Sequence, residues 1–326
     1  MTDRILDFSL RAARLSCDNG LLRIQWKDDS SELTIPLTEI SSVILSHPQV
    51  SLTQSALAGL AAALVPVITC DARHRPVGMM LPLEGHQEQH RRFRAQVALS
   101  APRTKRLWQI IVQAKIQAQA QVLEEFHQTD FGLRAYAKRV GSGDPSNVEA
   151  QAARRYWSAL FLNTEPDAPS FVRSNEEDVR NHMLNYGYAV LRAAVTRGLC
   201  ACGLHPSFGL HHHGPFNTFP LADDLVEPFR PAIDRVVQSE CIKRGQAKAS
   251  LALDTIMKGI LFSAFTARYG AEGETRILHD WILVACQRLA RAIQDPKFQY
   301  SLPAWQPEGQ ANAIGTLPNH VASSDV

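Results

Sequence analysis

The chain has 326 residues, of which 45% are hydrophobic and 20% charged, with a formal net charge of +2 at pH 7. This balance is typical of a globular protein of about two domains and excludes an intrinsically disordered chain. No run approaches the roughly 18 apolar residues of a membrane span, and the opening residues lack the apolar stretch of a secretory signal. We therefore expect a cytoplasmic location.

The cysteines do not form a zinc-binding set. Cys200 and Cys202 are only two positions apart, no CxxC pair occurs, and no second pair completes a site. We interpret all six cysteines as small hydrophobic side chains whose thiols stay free in a reducing compartment.

Positive charge is concentrated in residues 90–155. This segment has twelve Lys or Arg against five Asp or Glu, a local net charge of +7. Such an excess favours a phosphate-rich partner, because each neutralised phosphate releases counterions. A solvated helix surface would explain the same charges equally well.

Residues 1–84 predict a small β-rich unit with one short helix. We expect strands at 11–15, 21–26, 33–36, 40–45, 65–69 and 77–81, and a helix over 55–64. In the second of these strands Leu22, Ile24 and Trp26 alternate with polar residues, which is the period of a half-buried strand.

Residues 88–302 predict a larger all-α unit. Helices are expected over 91–126 with a break near 100–102, and over 147–161, 181–197, 247–265 and 274–293. Asp144 and Pro145 form a helix start signal, and Gly198 is a stop signal. Residues 303–326 lose periodicity and predict a flexible tail. The expected fold class is therefore α+β, a small N-terminal mostly-β domain followed by a larger all-α catalytic domain.

Three segments carry side chains that could do chemistry. The first is the start of the predicted 147–161 helix, where Glu149 shares a face with Ala153 and Tyr156. A carboxylate with such neighbours is poorly solvated unless it is paired. The alternative is a glutamate that is favoured near a helix N-terminus by the helix dipole.

The second segment ends in three consecutive histidines. Glycine and proline force turns between Gly203 and Leu210, which presents His211, His212 and His213 on a loop. Neutral imidazole is the commonest nitrogen ligand for a divalent metal. In an extended chain His211 and His213 would point to one side and His212 to the other. A polar surface loop would explain the segment equally well.

The third segment is acidic. Asp224 and Glu227 are three positions apart, so on a helix their carboxylates lie on one face and repel each other. A divalent cation would turn that repulsion into attraction, and carboxylates with one imidazole suit Mg²⁺ or Mn²⁺. The alternative is a solvated helix start capped by Asp223. Pro228 and Pro231 are expected to kink this helix.

Four segments, taken in order, resemble those of the CRISPR-associated spacer-acquisition integrases. They are Val-Glu-Ala around Glu149, NHMLNYGY at 181–188, GLHPSFGLHH at 203–212 and LADDLVEPFRP at 221–231. Their order and spacing agree with the family, as does the layout of strands followed by helices. The chain departs from the common pattern at His205 and at the extra His213. The double histidine and the acidic segment look most like members from type II CRISPR systems.

The resemblance implies a metal-dependent DNA endonuclease and strand-transfer integrase. Such an enzyme inserts short DNA duplexes, the prespacers, into a CRISPR repeat array. The family's catalytic metal ligands fall on Glu149, His212 and Glu227, and Asp224 matches a further acidic position near the metal. The implied cofactor is Mg²⁺ or Mn²⁺.

The resemblance also implies partners. These are double-stranded DNA, a second copy of the chain bound through the N-terminal β domains, and a small ferredoxin-like CRISPR acquisition protein; no membrane partner is expected. The basic segment would hold DNA phosphates without reading bases, and our candidates are Arg154, Arg155, Lys138 and Arg139.

Two other functions compete with this interpretation. One is a zinc hydrolase that uses His211, His212 and His213, although the chain has no HExxH helix. The other is a non-catalytic DNA-binding scaffold that has kept the motifs.

Overall fold

The structure is a computed structural model that describes residues 4–28, 31–71, 76–162, 171–173, 175, 177–243 and 253–307. Strands dominate up to Met80 and helices dominate after it, which confirms the predicted mixed fold with a β-rich N-terminal part and a helical part. None of the helices in these ranges is long and apolar enough to cross a membrane.

The N-terminal part is built from two four-stranded sheets. Its elements are β1 (Arg4–Phe8), β2 (Ala13–Asp18), β3 (Leu21–Trp26), β4 (Glu32–Pro36), β5 (Ile40–Leu45), β6 (Ser51–Leu52), α1 (Gln54–Ala62), β7 (Val67–Cys70) and β8 (Pro76–Met80). One sheet has the strand order β1-β5-β7-β8 and the other β4-β3-β2-β6. In β3, Leu22 and Ile24 are buried and Arg23 and Gln25 are exposed, as the alternation predicts.

Two strands of these sheets were not expected from the sequence. β1 lies parallel to β5, and it lacks a clean alternation because most of its residues are half-buried. β6 has only two residues and exists through its pairing with β2. Both strands therefore form because they pair with distant strands, and not because of their own sequence pattern.

The helical part surrounds one long central helix. Its helices are α2 (Gln89–Val97), α3 (Ala101–His127), α4 (Leu133–Arg139), α5 (Val148–Leu160), α6 (Val179–Ala201), α7 (Pro220–Val226), α8 (Arg230–Lys243), α9 (Thr255–Thr266) and α10 (Leu278–Gln294). The central helix, α3, packs against α4, α5, α8 and the 3₁₀ turn Glu227–Phe229. This packing brings the middle of α3 next to two of the segments with candidate functional residues.

The helical part is not all-α, which corrects one prediction. The expected helix over 274–293 begins only at Leu278, because β9 (Arg268–Ala271) and β10 (Glu274–Ile277) form an antiparallel hairpin. Both residues of its two-residue turn have positive φ, 55° at Glu272 and 79° at Gly273. This is the geometry of the turn that most favours a tight hairpin.

The packed part of the chain extends beyond residue 302, where the flexible tail was predicted to begin. Trp305 is buried, and β11 (Gln306–Pro307) pairs with β9, so residues 303–307 are not part of a flexible tail. Residues 308–326 lie outside the described ranges, as do residues 247–252 of the helix expected over 247–265.

The buried hydrophobic side chains fall into two clusters. One is confined to the N-terminal sheets and α1, and the other fills the helical part but also takes in Ile44 and Ile68 from the first sheet. The six cysteines are free thiols, as expected, and burial raises the pKa of Cys202 to about 11.

Helices α6 and α8 approach each other closely at Gly187. A Cβ atom there would lie 2.5 Å from Cγ2 of Ile233, so we expect Gly187→Ala to destabilise the protein by about 1–3 kcal/mol. Gly259, in α9, has no atom of the described residues within 4 Å of such a Cβ, and Gly259→Ala should stabilise by about 0.5–1 kcal/mol. Urea unfolding of both variants measures the difference. Equal effects would contradict the close contact.

Candidate active site

Glu149 lies in the first turn of α5, and Asp144 fixes that turn. The carboxylate of Asp144 accepts hydrogen bonds from the backbone N–H groups of Val148 and Glu149, both at 2.9 Å. Asn147 is the N-cap residue, with φ 49°, and its side chain caps the same turn. The helix therefore starts three residues after the predicted signal at 144–145. Asp144 lies before the N-cap residue, and its carboxylate accepts from the first N–H groups of the helix.

Lys115 of α3 joins Glu149 to Glu227. Its Nζ lies 2.6 Å from Oε1 of Glu149 and 2.5 Å from Oε2 of Glu227. Glu227 begins the 3₁₀ turn between α7 and α8, where Pro228 interrupts the helix as predicted. Two carboxylates that are far apart in the chain therefore meet at one ammonium group.

Lys115 and Glu227 are mostly buried, and each stabilises the charge of the other. The side chain of Lys115 is 12% exposed and that of Glu227 is 5% exposed. Burial alone would lower the pKa of Lys115, but the carboxylates of Glu227 and Glu149 raise it above its ordinary value. Burial would raise the pKa of Glu227, but Lys115 and Arg230 hold it below its ordinary value. Arg230 contributes through an ion pair of 3.0 Å with Oε1 of Glu227.

Asp224 orders the histidine loop. Its fully buried carboxylate accepts backbone hydrogen bonds from Leu210 at 2.5 Å and from His211 and His212, both at 3.1 Å. It also contacts Nδ1 of His212 at 2.7 Å, a bond that raises the pKa of that imidazole and leaves Nε2 for a second partner. Gly209 makes the loop possible, because a Cβ there would lie 2.5 Å from the carbonyl oxygen of His212.

The alternative of a solvated acidic helix start is therefore wrong for the third segment. Asp224 is fully buried, and Glu227 is 4% exposed. Asp223 is not the helix cap, since Phe219 holds that position and Asp223 forms an ion pair with Arg192 at 2.5 Å.

The three consecutive histidines do not face a common point. The ring of His211 stacks on Trp108, with ring centroids 4.3 Å apart and an interplanar angle of 2°. His212 meets the same indole edge-on at 5.7 Å, and His213 is exposed. This arrangement does not support a zinc site made of His211, His212 and His213.

The predicted ligands do not form a finished coordination sphere. Among the residues that the structure describes, no three His, Cys, Asp or Glu side chains are arranged to hold a metal ion. Glu149 and Glu227 share Lys115, while His212 contacts Asp224. The hydrogen bond to Asp224 raises the pKa of His212, and the negative charge of Glu227 adds to that rise.

The chemistry of these donors fits a hard divalent cation. Oε2 of Glu227 is buried and, within the described chain, has no hydrogen-bond partner of good geometry despite its ion pair with Lys115. Two carboxylates and one imidazole are the donor types that suit Mg²⁺ or Mn²⁺. A carboxylate on the far side of the imidazole, as Asp224 is for His212, is the usual orienting partner of a metal-binding histidine.

A third buried carboxylate, Asp234, supports the site from α8. The hydroxyl of Tyr156 donates to it at 2.8 Å, and Tyr188 donates a further short hydrogen bond. Burial raises the pKa of Asp234 to about 6. The guanidinium of Arg230 lies 4.9 Å from the centre of the Tyr188 ring. This cluster ties α5, α6 and α8 together behind Glu227.

The sequence-based predictions did not include Lys115, although its position carries a signal. Trp108, Ile111 and Lys115 follow each other at helical spacing, and the first two are buried. A lysine on the buried face of a helix requires an anionic partner. That requirement could have paired Lys115 with the acidic segments.

The four predicted DNA-binding residues lie on two neighbouring helices. Lys138 and Arg139 belong to α4, Arg154 and Arg155 belong to α5, and all four are exposed. The two helices pack against each other. These cations therefore lie on exposed positions of the helix pair that carries Glu149.

Residues 9–262 match the family model described as CRISPR associated protein Cas1. This chain belongs to the Cas1 family. A CRISPR-associated endonuclease Cas1 from Neisseria meningitidis is 39% identical over 240 residues, which cover 73% of this chain and 76% of the relative. The predicted family is thereby confirmed, together with its class of endonuclease and integrase in CRISPR spacer acquisition.

Solved structures related to the Cas1 family share the fold. A casposase bound to integration product has a TM-score of 0.75 and 21% identity, covering 91% of this chain and 92% of the casposase. A chain of a Cas6-RT-Cas1–Cas2 complex has a TM-score of 0.70 and 23% identity, covering 92% of this chain and 36% of that longer chain. At these identities the likeness extends to the fold alone.

Proposed function

We propose that this Cas1-family chain joins the 3′ end of a short DNA duplex to a CRISPR repeat, with Glu149, His212 and Glu227 holding one Mg²⁺ or Mn²⁺ ion. The observation that carries the proposal is the meeting of two distant carboxylates on one cationic group, the ammonium of Lys115. Asp224 sets the orientation of the His212 imidazole through its contact with Nδ1.

The proposed reaction is a transesterification at phosphorus. The 3′-hydroxyl oxygen of the incoming strand forms a bond to phosphorus and loses its proton to solvent. The bond from phosphorus to the 3′-oxygen of the repeat strand breaks, and that oxygen takes up a proton. One phosphodiester is made for each one broken, so the step needs no ATP. With water as the nucleophile the same exchange cuts DNA, which is the endonuclease activity of the family.

Each residue has a distinct role in this step. The cation, when bound, supplies Lewis-acid catalysis at a non-bridging phosphate oxygen. Glu149 and Glu227 would supply the negative charge that holds it, and His212 would supply one nitrogen, Nε2. We assign Asp224 to positioning and not to metal binding, because its two oxygens already accept from three backbone N–H groups and from His212.

A plasmid assay tests the proposal. The substrates are a supercoiled plasmid that bears a CRISPR repeat and a labelled duplex with free 3′-hydroxyl ends, with the Cas2 partner present. We expect covalent joining with Mn²⁺ or Mg²⁺ and none in EDTA. A duplex with 3′-dideoxy ends is the matched control, and it should bind without being joined. Joining in EDTA, or joining supported by zinc alone, would contradict the proposal, and a scaffold protein would bind DNA and join nothing.

The proposed partners follow from the family and its structural neighbours. The neighbours include a casposase bound to integration product and a complex that contains Cas2, and we propose DNA and Cas2 as partners here.

We further propose that residues 1–84 pair two copies of the chain and that residues 88–302 carry the catalysis. β4 is an edge strand whose first three residues are exposed, which leaves its backbone available for pairing. Chromosomal DNA as the substrate implies a cytoplasmic location.

Removing a basic side chain of α5 should weaken DNA binding without affecting sequence preference. We expect Arg154→Gln to reduce affinity several-fold and to lower the slope of log affinity against log salt by about one unit, because one phosphate contact is lost. Fluorescence anisotropy over a range of salt concentrations measures both quantities. Lys297→Gln removes an exposed charge after α10 and is the control. An unchanged slope in Arg154→Gln would remove Arg154 from the DNA-binding surface.

A further inference from the structure

We propose that Lys115 is a positioning residue that competes with the catalytic divalent cation for the carboxylates of Glu149 and Glu227. The inference rests on the proposed metal site, and it concerns how this chain prepares and then releases that site. Lys115 would hold the two carboxylates together until a metal ion displaces its ammonium group.

The packing of α3 fixes where the ammonium can reach. Lys115 lies in the middle of this helix, one position from the buried Ile116, and α3 contacts both α5 and the 3₁₀ turn at Glu227. The ammonium is therefore delivered between Glu149 and Glu227 by elements that are already packed. Without a positive charge, two carboxylates that share one contact point would repel each other in a mostly buried setting.

The contact with Glu227 suits replacement by a metal ion. Nζ of Lys115 lies 2.5 Å from Oε2 of Glu227, yet that oxygen has no hydrogen-bond partner of good geometry in the described part of the chain. Opposite charge lowers the pKa of Glu227 more than the hydrogen bond from Lys115 does, so charge is the larger part of the attraction. A divalent cation has twice the charge, so the same two oxygens attract it more strongly.

The local charges show what must happen when a metal ion binds. Lys115 and Arg230 supply two positive charges, and Glu149 and Glu227 supply two negative charges, so the group is balanced as it stands. A divalent cation would leave an excess of two positive charges. A DNA phosphodiester carries one negative charge, which grows in the transition state, and so offsets part of that excess. The displaced ammonium thereby becomes available to the phosphate, and metal and DNA should each tighten the binding of the other.

A purely structural role for Lys115 makes the opposite prediction about metal affinity. If the ammonium only maintained the shape of the site, its removal would misplace the carboxylates and weaken metal binding. If it competes with the metal, its removal should tighten metal binding even though the protein loses an internal ion pair. The sign of the change in Mn²⁺ affinity therefore separates the two roles.

Calorimetric titration of the full chain with Mn²⁺ tests the inference. We expect Lys115→Met to bind Mn²⁺ about tenfold more tightly than wild type or better, because a competing charge has gone. Lys115→Gln, which keeps a hydrogen-bond donor, should change in the same direction and serves if the methionine variant does not fold. Lys297→Met removes an exposed lysine elsewhere and should leave the affinity unchanged. Added duplex DNA should tighten Mn²⁺ binding more in wild type than in either Lys115 variant.

The outcomes separate this inference from the proposed function. If wild type does not bind Mn²⁺, or if Glu149→Gln binds it as well as wild type does, the proposed metal site itself is wrong. If wild type binds Mn²⁺ through Glu149 but the folded Lys115 variants bind equally or more weakly, competition is overturned and the site stands. A larger gain from DNA in the Lys115 variants than in wild type would also contradict the inference.

Discussion

Glu149→Gln is expected to slow strand transfer on the order of a thousandfold or more, while the affinity for duplex DNA stays close to that of wild type. The substitution keeps the shape of the side chain but removes one of the two negative charges that would hold the cation. Glu149 is 22% exposed on its side chain, and its backbone is fixed by Asp144, so we expect the fold to persist. Single-turnover strand transfer at saturating Mn²⁺ and fluorescence anisotropy measure the two quantities.

Glu124→Gln is the matched control for this prediction. Glu124 is a more exposed glutamate on α3, paired with Arg134 at 2.6 Å, and its charge is not part of the proposed site. Its loss should change strand transfer by no more than about twofold. If Glu149→Gln lost DNA binding and strand transfer in parallel, Glu149 would serve binding or folding and not metal-dependent chemistry.

Asp224→Asn should be the most destabilising single change at the site, by about 3–5 kcal/mol. The carboxylate is fully buried and accepts from three backbone N–H groups and from His212. The amide of asparagine accepts hydrogen bonds only on its oxygen. Its NH₂ group would face N–H donors that the second carboxylate oxygen accepts from in wild type. Urea unfolding measures the loss. Asp223→Asn, which disturbs the partly exposed pair with Arg192, is the control and should cost about 1 kcal/mol or less.

The cost of Asp224→Asn should also depend on pH. The hydrogen bond from His212 to Asp224 raises the pKa of that imidazole in the folded protein. A raised pKa adds stability that is complete below the pKa of the unfolded chain and is lost as the pH rises through the folded value. The difference in stability between wild type and variant should therefore shrink as the pH rises through this window. A difference that grew with pH would show that the His212–Asp224 pair does not act as assigned.

The sequence predicts elements well where a local pattern is strong. The alternation in β3 follows directly from residue periodicity, and so does the existence of α6. The predicted stop at Gly198 is wrong, because α6 continues to Ala201 and Gly198 instead gives room to Cys286, whose Sγ would lie 2.8 Å from a Cβ there. The hairpin of β9 and β10 was missed because its signal is a single Glu272-Gly273 turn between short strands. β1, β6 and β11 were missed because each is defined by a partner strand elsewhere in the chain.

The residues of the candidate site were predicted from motifs. The hydrogen bonds and ion pairs that connect them were not. Glu149, His212 and Glu227 came from the order of four segments, and their assignment as ligands stays a prediction. The role of Asp224 in holding the histidine loop depends on backbone N–H groups, which no side-chain pattern reveals. The convergence of two carboxylates on Lys115 depends on how α3 packs against α5 and the 3₁₀ turn, a contact between distant parts of the chain.

Anomalous scattering from crystals soaked in Mn²⁺ tests the central claim most directly. We predict one strong manganese peak bound by carboxylate oxygens of Glu149 and Glu227 and by Nε2 of His212, with Asp224 still on Nδ1. A manganese peak that avoids these three side chains, while Lys115 still bridges Glu149 and Glu227, would contradict the account.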